Sequence, residues 1–142
     1  MIVPGVDLLV HAHDSRARRH DAARRWWEGL MNGAGTVGLC WPGILGFVRI
    51  ATDPRLAANP LAPASARARI RAWLARPQTA LIHPGERHAD ILFALLEQAG
   101  AAATLTADAH LAALAIEHQA ELHSTDPDMA RFPGLRWRNP LG

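Results

Sequence analysis

The stretch Thr106-Ala-Asp-Ala-His-Leu-Ala-Ala-Leu-Ala-Ile-Glu-His-Gln-Ala-Glu-Leu-His-Ser-Thr-Asp-Pro-Asp128 reads as a helix that feeds a strand. Leu111, Leu114 and Ala115 fall at helical spacing. Thr106 or Asp108 is the expected cap at the start. Glu121 to Ser124 is short and strand-like, and Asp126 follows it at once. A helix delivering the chain to a short strand is the repeating unit of a parallel sheet.

The same alternation runs back toward the N-terminus. Thr79 to His83 reads as a short buried strand. Glu86 to Ala99 follows as an amphipathic helix with Ile91, Leu92, Leu95 and Leu96 inward, closed by Gly100. Ala64 to Ala75 is a helix behind an Asn59 to Pro63 loop. Pro42 opens another, with Ile44, Leu45, Phe47, Val48 and Ile50, that ends before Asp53-Pro54. Thr36 to Cys40 is a strand. Before it, Arg16 to Met31 is helical, with Ala22, Ala23, Trp26, Trp27 and Leu30 in register and Gly33 and Gly35 as stops. Ile2 to Asp7 is the first strand, continued by a helical turn over Leu8 to His13. Downstream, Arg131 to Trp137 is expected to add an edge element.

The expected fold is therefore α/β: one domain over 1–142, with a central short parallel sheet flanked by helices. Crossovers should be right-handed, and ligands should sit beyond the carboxyl ends of the strands. Asp7 and Asp126 stand at predicted strand ends and Asp108 at a helix start. Three carboxylates from distant positions can thus meet at one edge.

Composition narrows the class. The 142 residues suit one domain, and 49% hydrophobic content provides a core and excludes disorder. A single cysteine, Cys40, fits a reducing compartment. No apolar run reaches the roughly 20 residues of a membrane span, and no basic leader precedes an apolar run at the N-terminus, so a soluble cytoplasmic protein is expected. The pI of 9.9 at a net charge of only +2 follows from the residue types: every basic side chain is Arg, and there is no Tyr. Charge placement says more. Arg16, Arg18, Arg19, Arg24 and Arg25 surround Asp21, and Arg55, Arg67, Arg69, Arg71 and Arg76 occur without an acid among them. Solvated helix faces explain such runs, and so does a polyanion held over an acidic centre.

Carboxylates forced together repel and raise one another's pKa unless a cation neutralises them. Mg²⁺ typically takes one or two carboxylates, with water and phosphate oxygens completing its shell. A converging acid cluster without matched arginines therefore reads as a metal site for phosphodiester chemistry. The competing readings are local: Asp108 as a helix cap, and Asp126-Pro127-Asp128 as a turn with its own cap.

Three stretches carry a resemblance. They are Ile2-Val-Pro-Gly-Val-Asp-Leu-Leu-Val-His-Ala-His-Asp14, Gly46-Phe-Val-Arg-Ile-Ala-Thr-Asp-Pro-Arg55, and Thr106 to His118 with Ser124 to Trp137. In order and spacing along nearly the whole chain they resemble VapC toxins of the PIN-domain family, in the branch abundant in actinobacteria. The resemblance implies a Mg²⁺- or Mn²⁺-dependent endoribonuclease silenced by a cognate VapB-type antitoxin, acting on tRNA or other structured RNA, and homodimeric. It places the family's third acid on Asp108 and its fourth motif on Asp126, with Asp128 beside it and Thr125 lining the site. Its first acid falls on Gly5, and its usual second acid on Gly46. Asp7, where the family has Asn or Ser, is the available replacement. In a strand, residues two apart point the same way, so Asp7 would lie some 6 to 7 Å along from the vacant place.

The expected site is then Asp7, Asp108 and Asp126 for catalysis, the same three with Asp128 for metal, and Arg24, Arg25, Arg69 and Arg71 for RNA. The alternative is a catalytically impaired domain, marked by Gly5, that still binds antitoxin and RNA. A phosphatase with Asp7 as nucleophile would want a second acid two residues on, and residue 9 is Leu. His11-Ala-His13 is an isolated pair without further zinc ligands. His110 is expected to pack or face solvent. Core or dimer packing is the expected use of most of Trp26, Trp27, Trp41, Trp73 and Trp137.

Overall fold

The computed structural model describes residues 1–100 and 103–142. Five strands of three residues each, β1 (Ile2–Pro4), β2 (Val37–Leu39), β3 (Thr79–Leu81), β4 (Glu121–His123) and β5 (Arg136–Arg138), form one sheet. Its order is β3-β2-β1-β4-β5, and every pairing is parallel. The helices are α1 (Val6–His13), α2 (His20–Asn32), α3 (Trp41–Ala51), α4 (Pro63–Leu74), α5 (His88–Ala99) and α6 (Thr106–Glu117). The α/β class, the parallel sheet and the edge position of the last strand agree with the sequence reading.

Two apolar layers sandwich the sheet. One gathers Leu9, Trp27, Met31, Val37, Leu39, Phe47, Ile70 and Trp73 from α1 to α4 and β2. The other gathers Val3, Leu95, Leu122, Met129 and Phe132 around α6. Every residue from Leu111 to Ala115 is buried. Alanine at three of those five positions lets that helix be packed on all sides.

Chain order creates the functional edge. The chain steps outward from β1 to β2 to β3, then returns to the other side of β1 for β4 and β5. The carboxyl ends of β1 and β4 therefore flank the switch point where such sheets bind ligands.

Four local expectations change. Ile2 to Asp7 is not a strand to its end: β1 stops at Pro4, and Asp7 lies in the first turn of α1. The Ile2 N–H donates to β2's side, at Thr36. Pro4, two residues on, faces the same way with no N–H to give, and the β1–β2 register is confined to Ile2 and Val37. Gly5 N–H makes a last bond to the His123 carbonyl, and its own carbonyl accepts from Leu9 N–H as the helix begins. The second helix starts at His20 rather than Arg16. The Thr79 strand is half-buried rather than buried. Neither Thr106 nor Asp108 caps α6: a 3₁₀ turn, Ala103–Leu105, runs straight into it, and Leu105 occupies the cap position. Asp108 is thereby released from the local duty that its place in the sequence invited.

Candidate functional site

Asp7, Asp108 and Asp126 line one cleft of ≈ 410 Å³, together with Gly5, Val6, Val10, His11, Ile50, Leu111 and Ser124. Each acid comes from a different element. Asp7 is in the first turn of α1, Asp108 in the first turn of α6, and Asp126 lies past the end of β4.

Asp7 is pinned. Its Oδ2 accepts from Thr125 N–H at 2.7 Å and from Thr125 Oγ1 at 2.6 Å, and its Oδ1 accepts from Ser124 Oγ at 3.2 Å. Ser124 Oγ in turn accepts from Asp126 N–H at 3.0 Å. One hydroxyl thus ties the α1 acid to the segment bearing the β4 acid. Asp126 Oδ1 accepts from Asp128 N–H at 2.9 Å and caps the 3₁₀ turn Pro127–Arg131. The cap reading of Asp126 is correct, and the same side chain also faces the cleft.

Asp108 has the electrostatics of a crowded acid. Its carboxyl is held above the usual carboxylate range, first by burial and then by the charges of Asp126, Asp128 and Asp7. Among the described residues none of these four acids forms an ion pair with an arginine. Nor, as the side chains stand, is any group of three or more His, Cys, Asp or Glu among the described residues placed to hold a metal ion. The four acids offer oxygen donors only, and among those residues no ion pair with an arginine neutralises them; His11 lines the same cleft. The carboxylate set fits a hard divalent cation that keeps part of its water shell, and it does not fit zinc.

The two histidines of His11-Ala-His13 part company. His11 lines the acid cleft. His13 donates Nδ1 to the Leu9 carbonyl at 2.7 Å and packs its ring against Trp27, Phe47 and Trp73. His110 pairs with His88, ring nitrogen to ring nitrogen, at 2.9 Å. Of the tryptophans, Trp27 and Trp73 are core, Trp26 and Trp137 are half-buried, and Trp41 is exposed.

The arginines sit outside the acid cleft. Arg24 and Arg25 are exposed on α2, and Arg71 is exposed on α4. Arg69 lines a neighbouring hollow of ≈ 250 Å³ with His13, Asp14, Phe47 and Leu61. Val10 and Ile50 line both spaces, so the hollow and the cleft adjoin.

Both glycines at absent acid positions are close-packed. A Cβ on Gly46 would meet Val6 Cγ2 at 2.7 Å, so the Val6 side chain takes the room there. A Cβ on Gly5 would meet Asp7 Oδ1 at 2.7 Å. The expected displacement of Asp7 along a strand does not occur, because the chain has already turned and brings the carboxylate back over Gly5. Ser124 is the site residue that sequence reasoning missed. Its signal was a hydroxyl next to the acid-bearing end of a strand.

A family model for the PIN domain matches residues 8–135. Ribonuclease VapC33 of Mycobacterium tuberculosis is 45% identical over 141 residues, covering 99% of each chain. Ribonuclease VapC37 of the same organism is 41% identical over 140 residues, covering 99% of this chain and 97% of that one. Among solved structures, VapBC2 from Rickettsia felis, bound to a promoter DNA fragment, matches with a TM-score of 0.71 at 19% identity, covering 98% of both chains.

Proposed function

The chain belongs to the PIN-domain family, in its VapC branch, and from that membership and the chemistry of the cleft we propose a metal-dependent endoribonuclease toxin that cuts tRNA or another structured RNA. The observation that carries the reading is the cleft that gathers Asp7, Asp108 and Asp126, where the Asp108 carboxyl pKa is raised by burial and by three neighbouring acids, none of them ion-paired with an arginine among the described residues. Such a cluster calls for a cation.

Asp7, Asp108 and Asp126 would hold Mg²⁺ or Mn²⁺, with Asp128 adding charge at the rim. When bound, the cation lowers the pKa of a water and steadies the leaving oxygen. The protein's own part is orientation. Thr125 and Ser124 fix the Asp7 carboxylate, and the turn capped by Asp126 sets the height of the third acid. Arg24, Arg25, Arg69 and Arg71 would neutralise phosphates on either side, giving an affinity that weakens with salt.

The partner in this reading is a cognate VapB-type antitoxin that places a basic group near the acids. A homodimer is part of it as well, supported by Trp41 and Leu45, one turn apart on α3 and 48% and 60% exposed. No helix among the described residues is long and apolar enough to cross a membrane. A cytoplasmic site of action agrees with the proposed RNA substrate.

The test is Asp108→Asn. Cleavage of structured RNA in Mg²⁺ or Mn²⁺ should fall by roughly 100-fold or more. Ionised Asp108 destabilises the metal-free fold, a cost present above its raised folded-state pKa and relieved as pH falls through it. The neutral amide removes that cost, so the metal-free melting temperature at pH 7 should rise by roughly 1–3 °C. Cleavage that persists in this variant, or in chelator, ends the metal mechanism.

A further inference from the structure

We propose that Gly5 and Asp7 are a compensated pair: the bare Cα of Gly5 gives the Asp7 carboxylate its seat, and from that seat Asp7 supplies the acid at the β1 side of the cleft. The second half rests on the nuclease reading above. The first half is geometric and independent of it.

Gly5 has φ −75° and ψ 163°, extended backbone that any residue adopts. Backbone conformation therefore gives no reason for glycine. Space does. A Cβ there would stand 2.7 Å from Asp7 Oδ1, a separation real Cβ atoms do not tolerate. Its other neighbours are the His123 carbonyl at 3.2 Å, a tight contact with backbone that would have to give by a few tenths of an ångström, and Ser124 Cβ at 3.4 Å, an ordinary contact. The nearest obstacle to a side chain at position 5 is thus the Asp7 carboxylate. That carboxylate is held by three hydrogen bonds from Ser124 and Thr125. A methyl group on residue 5 would displace Oδ1, which accepts from Ser124 Oγ, and strain the carboxylate against the two Thr125 bonds on Oδ2.

The same geometry shows that positions 5 and 7 compete for one place. The Cβ direction of residue 5 points at Asp7 Oδ1 and Ser124 Cβ, both in the acid cleft. An aspartate at 5 would deliver its carboxylate to that cleft, provided residue 7 gave way. Acids at both positions would bring two negative groups into contact beside Asp108 and Asp126. One acid at either position serves, whereas two crowd the seat.

Two measurements test this. The first is a melting-temperature cycle in chelator with Gly5→Ala, Asp7→Ala and the double variant. Gly5→Ala should lower the melting temperature by at least about 3 °C in the parent, and by less in the Asp7→Ala background, where the 2.7 Å contact is gone and only the His123 carbonyl still crowds the methyl group. An equal loss in both backgrounds, including failure of both to fold, overturns the shared seat. The second is Mn²⁺ titration by calorimetry. Gly5→Ala, which removes no charge, and Asp7→Asn should each weaken binding by about 10-fold or more. The double variant Gly5→Asp/Asp7→Asn should return to within about threefold of the parent, and Gly5→Asp alone should not bind more tightly than the parent. Parent-like Mn²⁺ binding by Asp7→Asn or Gly5→Ala overturns the proposal, as does tighter binding by Gly5→Asp alone. Asp108→Asn separates the two readings. If it abolishes binding while Asp7→Asn does not, only the present inference fails. If the parent itself binds no Mn²⁺, the nuclease reading fails and takes the ligand role of Asp7 with it.

Discussion

Thr125 gives Asp7 two of its three hydrogen bonds, one from the backbone and one from the hydroxyl. The backbone bond survives any substitution that leaves the turn intact, but the hydroxyl bond does not. Thr125→Val keeps the shape and removes the donor. Cleavage and cation affinity should drop about 10-fold with little change in melting temperature, and Thr125→Ser should stay near the parent. Parallel cleavage assays and melts of the two variants check this; equal losses for Ser and Val would refute the hydroxyl's role. At this scale the acids downstream were legible, because Asp108 and Asp126 stand in long, well-patterned segments. Asp7 was legible as a candidate and misread in place, since the strand ends at Pro4, three residues early. The reason for Gly5 was not legible at all. It lies in a side chain two positions away, folded back by a helix whose first two residues, Val6 and Asp7, a linear reading had taken for strand.

The end of β4 is held from both sides by indoles. Trp26 donates to His123 Nδ1 at 3.0 Å, which assigns the proton to Nε2, and Nε2 donates to Glu121 at 2.7 Å. Trp137 on β5 donates to the Ser124 carbonyl at 2.9 Å. These bonds fix the strand whose next residues carry the hydroxyls and the third acid. Trp137→Phe keeps an aromatic ring and loses the N–H, leaving the carbonyl of buried Ser124 without that partner. It should cost about 1 kcal/mol, a fall of roughly 3 °C in melting temperature. A melt indistinguishable from the parent's would show that solvent replaces the bond without loss. Helices were read well because ten or more residues of apolar periodicity outvote any single position. Strands of three residues show no alternation to read, and only flanking glycines and prolines marked them. The start of α6 was misjudged for a related reason: Thr106 and Asp108 both look like caps, and a 3₁₀ turn makes a cap unnecessary.

Over the whole molecule, His13, His110 and His123 all have pKa values lowered from 6.5, chiefly by burial. A histidine kept neutral in the fold contributes stability that is fully present above its unfolded pKa and is lost as pH falls through the folded one. The metal-free protein should therefore lose melting temperature as pH drops from 7 toward 5. Asp108 acts in the opposite sense, since its protonation relieves the acid cluster. Asp108→Asn should accordingly make the fall steeper once pH descends through the raised Asp108 pKa. A flat profile between pH 7 and 5 in both proteins would show that these histidines do not control acid stability. Parallel strands alternating with helices were legible as a class. The sheet order was not, because nothing in the spacing of β1, β2 and β3 says that β4 will return to β1's free side.

That return has a consequence for how the protein is made. Thr125 and its partner Asp7 are 118 residues apart, and β5, which closes the sheet beyond β4, comes later still. While the ribosome is delivering the first hundred residues, β1 has no neighbour on its β4 side, and Asp7 lacks all three of its donors. A long closure of this kind forms late and slowly. The nascent chain would carry the early acid without a seat, so the active arrangement would appear only when synthesis is nearly complete. A prematurely terminated chain that stopped before Ser124 would hold Asp7 and Asp108 but no third acid and no clamp.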